Sequence, residues 1–421
     1  MGVTKTTRTR AGAFTRDGTS TANSAAAALA GAPRATEDGP TFIERRDRPG
    51  ILHVIQHCEP SGAEVGHLPL LLADPDPLLA CPPGSPTERM ARERGIPTVP
   101  LPYRTLRMSA GWGELARSIV RAVQMARDLR GLLRAHPERP IVVGNTLTPS
   151  LVASIAAAGM RRKPVWVAAQ FIPRRSVRAA VRLLARATAE RVLVPSTAVH
   201  DDFVGRSRGL RGRAHVTHPG IDMQRFAVDR PTDTAARVAL VGYISTVKRT
   251  DMALEIAREV AAQVPEFELQ IVGCAQYRPE DFAFERALQE RVAADPLLRK
   301  HVRFCGYERD VPALLANVSA LLHCCPVETF GVALVEAMAA GVPVVAPAAG
   351  GPLDIVEHER TGLLYAPGDV SEAASQLVRL LAEPAWAREM GMAARRRVER
   401  RFTSPAYVAS VSSALEGLVD A

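Results

Sequence analysis

The stretch VETFGVALVEAMAAG (327–341) sets two carboxylates, Glu328 and Glu336, on either side of a Phe-Gly step. A strand is expected to end near Cys324, a loop to carry Glu328, and a helix to begin at about Gly331. The amides of Gly331, Val332 and Ala333 then lack partners within their own helix, and such an end attracts anions. Glu336 falls one turn further in, on the same face as Val332. A carboxylate there can accept both hydroxyls of a ribose, while Glu328 on its loop can reach a sugar ring. A second block supplies a cation. VALVG (238–242) ends at Gly242, where the backbone can approach a ligand closely, and YISTVKRTDMALEIA follows. Lys248 stands just ahead of the helix there and can meet a phosphate as a point charge. Each block has a plainer reading, a buried helix edge for the first and an ordinary strand–loop–helix turn for the second. Taken together, they describe a phosphate held between two sugars.

The elements that must position these residues follow one pattern. ILHVI (51–55), IPTVPL (96–101), PIVVGN (140–145), PVWVAA (164–169) and RVLVP (191–195) are short apolar runs bounded by Pro, Gly or Asn. Helical sequence separates them, as in Gly113–His136, where Leu115, Ile119, Val123 and Leu129 form an apolar stripe. HVTHPGIDMQRF (215–226) breaks the pattern, and VDRPTDTAA (228–236) reads as a linker. The alternation restarts with VALVGY (238–243) and continues through ELQIVG (268–273), VRFCG (302–306), ALLHC (320–324) and VPVVA (342–346). Strands apolar throughout and alternating with helices predict parallel sheets covered on both faces. The fold class is therefore α/β, with two Rossmann-like doubly wound domains facing across a cleft, where ligands of such sheets gather.

Composition fits that plan. A chain of 421 residues exceeds one ordinary core. Its 47% hydrophobic and 23% charged content is that of a soluble globular protein. No apolar run reaches the roughly 18 residues needed to span a bilayer. Residues 1–48 are rich in Thr, Ala, Gly and Arg without apolar periodicity, and a disordered leader is expected. AAAALAGA within it is too short and too weakly apolar for a signal-peptide core. The six cysteines form no CxxC pair and have no His at a standard metal-ligand spacing, so reduced thiols and no metal are expected.

With these blocks in view, the chain resembles the retaining, GT-B-type glycosyltransferases of family 4. The motif E-x-F-G-x-x-x-x-E-A-x-A-x-G-x-P-V-V-A stands here as Glu328, Phe330, Gly331, Glu336, Ala337, Ala339, Gly341 and Pro343. The likeness runs through most of 50–405, including HPGIDMQRF, VGYISTVKRTDMAL and AGGPLDIVEHERTGLLYAPGD (349–369). It implies a nucleotide-diphosphate sugar, UDP- or GDP-linked, as co-substrate and no other cofactor. It assigns the donor diphosphate to Lys248, the ribose to Glu336 and the donor hexose to Glu328. Gly242, Tyr243, Arg249, Phe330, Gly331, Val332 and Ala333 complete the donor side, and Gly62 lies in the acceptor-side glycine loop. It further implies domains at 49–225 (acceptor) and 226–400 (donor), with 401–421 a helix packing back toward the first. Two departures stand out. Tyr243 occupies the place of a family arginine, a loss of about 1.5–3 kcal/mol in phosphate binding unless Arg249 or another cation substitutes. Gln170 occupies the place of a family histidine; it can hydrogen-bond a hydroxyl but carries no charge. With Glu328 and Lys248 it makes up the expected catalytic set.

Rival readings rest on other features. Asp74-Pro-Asp76 is a DxD pair of the kind a metal-dependent transferase uses, but it sits in a Pro-marked turn. Residues 161–213 carry 13 Arg or Lys against 3 acids, a local balance of +10 against +9 for the whole chain. The segment lacks interleaved aromatics, so no nucleic acid is expected as partner. Within it, PRRSVRAAVRLLARATAE (173–190) is a basic amphipathic helix that could lie on an anionic membrane, or pack its apolar stripe on its own sheet. The acceptor is then a glycan, a lipid-linked intermediate or a small metabolite, and the location cytoplasmic, with the inner membrane face as an option. A degenerate sugar-nucleotide binder, or an epimerase or phosphorylase of the same fold, remains the alternative.

Overall fold

In the computed structural model, which describes residues 50–56, 62–104, 106, 112–231, 236–276 and 278–418, strands alternate with helices through two successive sheets. The leader 1–48 lies outside the described residues. The first sheet contains β1 (Ile51–Val54), β2 (Leu78–Cys81), β3 (Thr98–Pro100), β4 (Ile141–Asn145), β5 (Lys163–Val167), β6 (Arg191–Val194) and β7 (Ala214–Val216), in spatial order β3-β2-β1-β4-β5-β6-β7. The second contains β8 (Arg237–Val241), β9 (Glu268–Val272), β10 (Val302–Gly306), β11 (Ala320–Leu322), β12 (Val344–Pro347) and β13 (Leu363–Tyr365), in order β10-β9-β8-β11-β12-β13. The strand pairs are parallel, as in β1 with β4 and β8 with β11. Each order reverses beside its first strand, which opens a crevice at β1/β4 and another at β8/β11.

Continuous apolar strands become central strands: β1, β2 and β4 are buried along their whole length. Helices covering both faces leave no solvent side that would demand alternation. Two strands that the sequence pattern passes over, β7 and β13, are short edges. The segment read as a break contains the half-buried β7, and β13 lies in the GLLYAPGD block. Three residues give no periodicity to detect.

The long helix Trp112–Ala135 forms, but its inward face differs from the expected stripe. Met125, Ala126, Leu129 and Leu133 pack against Leu52, Val54, Val142 and Val152, whereas Ile119 and Val123 are exposed. The true stripe repeats every four residues from Met125, and Ile119 and Val123 sit off that face. Leu115 lies outside the residues whose side chains are described.

The chain crosses between domains twice. Ile221 N donates to Phe402 O at 3.0 Å and Ser404 N to Ile221 O at 2.9 Å, so the two crossings lie side by side. A Cβ on Gly220 would sit 2.2 Å from the Thr403 carbonyl oxygen, so this approach admits only glycine. Ile221 and Phe226 are already buried in the second core, which places the first crossing slightly before residue 225. Beyond the second crossing, the helix Ser404–Leu415 buries Tyr407, Val408, Val411 and Leu415 against Ile51, Ile141, Val143 and Leu193 of the first sheet.

Candidate active site

The two halves of the sequence constellation meet at the β8/β11 crevice. β8 ends at Val241, and Gly242 follows with φ 150°, its amide donating to Val272 O at 2.9 Å. β9 crowds in so closely that a Cβ on Gly273 would stand 2.0 Å from the Gly242 carbonyl oxygen. The turn after Gly242 carries Lys248, whose amide donates to Ser245 Oγ at 3.3 Å. Arg249 follows in the left-handed region at φ 52° and opens the helix Thr250–Ala261. A non-glycine residue held there is strained, a condition found at functional turns.

From the other side, β11 ends at Leu322, and His323 to Phe330 form the loop before the helix Val332–Ala339. Gly331, at φ 112°, caps that helix. Lys248 Nζ donates to Glu328 Oε2 at 2.5 Å across the crevice and lies 5.6 Å from the centre of the Tyr243 ring. Tyr243 thus faces the ammonium where a second cation was expected to help. Burial works against the Glu328 carboxylate, but His323 and Lys248 outweigh it and hold its pKa well below the usual range. For Lys248, burial is likewise opposed by Glu328, and its pKa is raised. Both groups are therefore charged and pre-positioned. Gly242, Tyr243, Lys248, Thr250, His323 and Cys324 line the recess between them.

Glu336 sits half-buried on a helix whose other residues are all apolar. Burial raises its carboxyl to about 7, with Arg225 opposing. Phe330 is buried, its ring 5.9 Å from those of both His218 and Phe402, so it anchors the loop at the domain junction. Arg249 is turned onto Asp251, Nε lying 3.2 Å from either carboxylate oxygen. Gln170 is exposed on the loop beyond β5. Gly62 opens the helix Gly62–Ala73 after β1.

The glycine pair behind the loop has a steric task. Gly351 N donates to Glu328 O at 2.9 Å. A Cβ on Gly351 would lie 2.2 Å from Phe330 O, and one on Gly350 (φ +66°) would lie 2.3 Å from Glu328 O. Gly351→Ala is expected to cost about 1–3 kcal/mol by overpacking and to displace Glu328. Urea unfolding and nucleotide binding would both register it; wild-type values in both would show that the loop is not clamped.

Two groups escaped the sequence reading. His323, Cys325 and Glu328 bring one ligand atom each within 4.8 Å of one another, although His-x-Cys-x-x-Glu is no standard metal spacing. Asp354 accepts from Thr197 N at 2.7 Å and lies 3.0 Å from His218 Nε2, tying the segment 349–369 to the first domain. The first lies within one loop whose spacing matches no standard motif, and the second joins residues far apart in the chain.

The rival features find other uses. Asp74 and Asp76 precede β2 at the amino edge of the first sheet, opposite the crevice. Asp74 Oδ2 lies 3.2 Å from His53 Nε2, and Asp76 Oδ2 accepts from Arg139 at 2.7 Å. On the basic helix Arg175–Thr188, Val177, Val181 and Leu184 pack against a core that includes Trp166 and Phe203. Arg178 pairs with Asp202, and Arg182 Nε donates to Phe203 O at 2.7 Å. Among the described residues, no helix is long and apolar enough to cross a membrane.

Two facing Rossmann-like domains with a charged crevice define a GT-B fold, and solved structures agree. HepE from Anabaena, solved in complex with UDP-glucose, superposes with a TM-score of 0.73 at 22% identity, covering 87% of this chain and 99% of that one. Residues 224–397 match the family described as glycosyl transferases group 1. The sulfoquinovosyl transferase of Arabidopsis thaliana is 26% identical over 251 residues, 56% of this chain and 44% of that protein. A GDP-mannose-dependent alpha-mannosyltransferase of Mycobacterium tuberculosis is 30% identical over 192 residues, 43% of this chain and 45% of that protein. The chain thus spans under half the length of these curated relatives.

Proposed function

We propose that the protein transfers a hexosyl group from a UDP- or GDP-linked sugar to an acceptor hydroxyl, with retention of anomeric configuration and without a metal. The observation that carries this reading is the Lys248–Glu328 pair, held at the carboxyl ends of adjacent strands beside a helix N-terminus. Breaking a sugar–diphosphate bond builds negative charge on the leaving phosphate. An ammonium has three donors, so Lys248 can keep Glu328 and still take a phosphate oxygen. The first-turn amides of Val332–Ala339 supply further donors fixed in place before the charge develops. Glu328 positions the hexose and Glu336 the ribose. No side chain is assigned as a nucleophile, so the acceptor attacks from the face the phosphate leaves. The acceptor, a glycan, a lipid-linked intermediate or a small metabolite, enters from the first domain near Gly62 and Gln170. The work is assigned to the cytoplasm. Contact with an anionic membrane through 173–190 would fall to its outward residues, Arg174, Arg175 and Leu183, since the apolar stripe is packed inward.

The test is incubation with UDP-glucose, UDP-N-acetylglucosamine and GDP-mannose in EDTA. Nucleotide release from one of them is expected, and proton NMR of the product should show the donor's anomeric configuration. Release that stops in EDTA and returns with Mn²⁺ would overturn the metal-free reading. Nucleotide binding with no release from any donor would favour a sugar-nucleotide-binding protein that has lost transfer, the reading that Tyr243 and Gln170 support.

A further inference from the structure

The cluster at the end of β11 has chemistry that sugar transfer does not use. His323, Cys325 and Glu328 converge within 4.8 Å, and the imidazole and carboxylate side chains are only 7% and 11% exposed. His323 Nε2 points at Glu328 Oε2 from 3.3 Å, yet it is buried and makes no formed hydrogen bond. A buried imidazole nitrogen without a formed hydrogen bond, 3.3 Å from a carboxylate oxygen, is costly to keep, and a cation would satisfy it. The ammonium of Lys248 already occupies one side of that space.

We infer that His323, Cys325 and Glu328 form a zinc site whose occupation excludes the nucleotide sugar. The donor set selects the ion. One nitrogen, one sulfur and one oxygen suit tetrahedral Zn²⁺ with water in the fourth position, whereas Mg²⁺ and Ca²⁺ demand oxygen alone. On binding, Cys325 gives its thiol proton to water and its sulfur lone pair to the metal, while Glu328 exchanges the Lys248 ammonium for the ion. Nothing is oxidised or reduced. Glu328 is then no longer available to a hexose. Zinc and donor compete for the same carboxylate. That competition rests on the donor assignment above; the binding of zinc does not.

The test uses the full chain, stripped with EDTA, desalted and titrated with ZnCl₂ against a chromophoric chelator. About one equivalent is expected to bind, and Co²⁺ in its place should give the charge-transfer absorption of a thiolate ligand. Cys325→Ser should weaken zinc by more than the roughly 10–100-fold that losing an outer-shell partner costs, and should abolish the cobalt band. His323→Gln should weaken it similarly, while Cys305→Ser, at an exposed thiol, should change neither. Zinc should displace bound UDP-glucose or GDP-mannose from the wild type; Cys325→Ser should bind the nucleotide sugar normally in chelator and keep it in zinc. Failure of the wild type to bind zinc, or binding that Cys325→Ser leaves unchanged, overturns the site. Zinc held with the cobalt signature but without nucleotide displacement overturns the competition. A protein that binds zinc in this way but releases nucleotide from no donor would leave the metal site standing and remove the transfer reading.

Discussion

Replacing Glu336 by glutamine is expected to raise the KM for the nucleotide sugar on the order of 100-fold while leaving kcat near that of the wild type. Hydrogen bonds to a charged group contribute about 1.5–3 kcal/mol each, and the ribose hydroxyls would lose their ionised acceptor. The ribose lies away from the breaking bond, so the contact is equal in ground and transition states and appears in KM alone. The pH dependence sharpens the test. Burial holds the Glu336 carboxyl at about 7, so below that pH it is neutral and accepts from two hydroxyls poorly. In the wild type, KM should rise about tenfold for each pH unit below that value, and the glutamine variant should show no such rise. Stability runs in the opposite sense. A carboxyl whose pKa is raised by folding favours the folded state at low pH, and that contribution is lost as pH rises through about 7. Glu336→Gln should therefore melt above the wild type at pH 8 and lose that advantage at pH 5. A variant with a normal KM, or a wild type whose KM does not change with pH, would detach Glu336 from the ribose.

How much of this was legible beforehand depends on what each residue needed. The central strands announced themselves because apolar runs such as IVVGN have one physical use, burial between two helical layers. Lys248 and Glu328 were legible as a pair because each follows a strand and precedes a helix, and parallel sheets gather such loops at one edge. What the sequence could not supply was direction. Ile119 and Val123 have the right residue type and nearly the right spacing, yet the neighbouring strands select the face centred on Met125 and Leu129. Phe330 belongs to the motif but is taken up by His218 and Phe402 from two distant parts of the chain. Arg249 stands beside Lys248, yet a left-handed backbone turns it onto Asp251. His323 looked like one more strand residue until the fold set its nitrogen beside Glu328. Short-range pattern locates loops; only packing decides where their side chains point.

Replacing Lys248 by alanine is expected to lower kcat about 10²–10³-fold, the range seen when one donor to a developing oxyanion is removed. In the proposed donor assignment its ammonium meets the leaving phosphate as that gains charge, so the loss belongs to the transition state and should appear equally in kcat and kcat/KM. Glu336→Gln predicts the reverse split, and the two variants together separate diphosphate from ribose. A stability effect must be separated from this rate effect. Lys248 and Glu328 are largely buried, with side chains 25% and 11% exposed, and removing one partner leaves the other charge without compensation. Lys248→Ala should therefore melt lower as well as turn over more slowly. Adding Glu328→Gln removes the stranded charge and should restore much of the Tm without restoring kcat. If the double variant recovers both, Lys248 serves the fold alone. If Lys248→Ala melts lower but turns over at the wild-type rate, the leaving diphosphate is stabilised elsewhere. The expected result, a stable double variant that binds nucleotide and turns over slowly, would tie the Lys248–Glu328 pair to the chemical step, and the rate of Lys248→Ala alone assigns the cation's share. Arginine is not an equivalent substitute at this position. Its planar guanidinium is larger than the ammonium that now fits between the Tyr243 ring and Glu328, so Lys248→Arg should recover little of the rate.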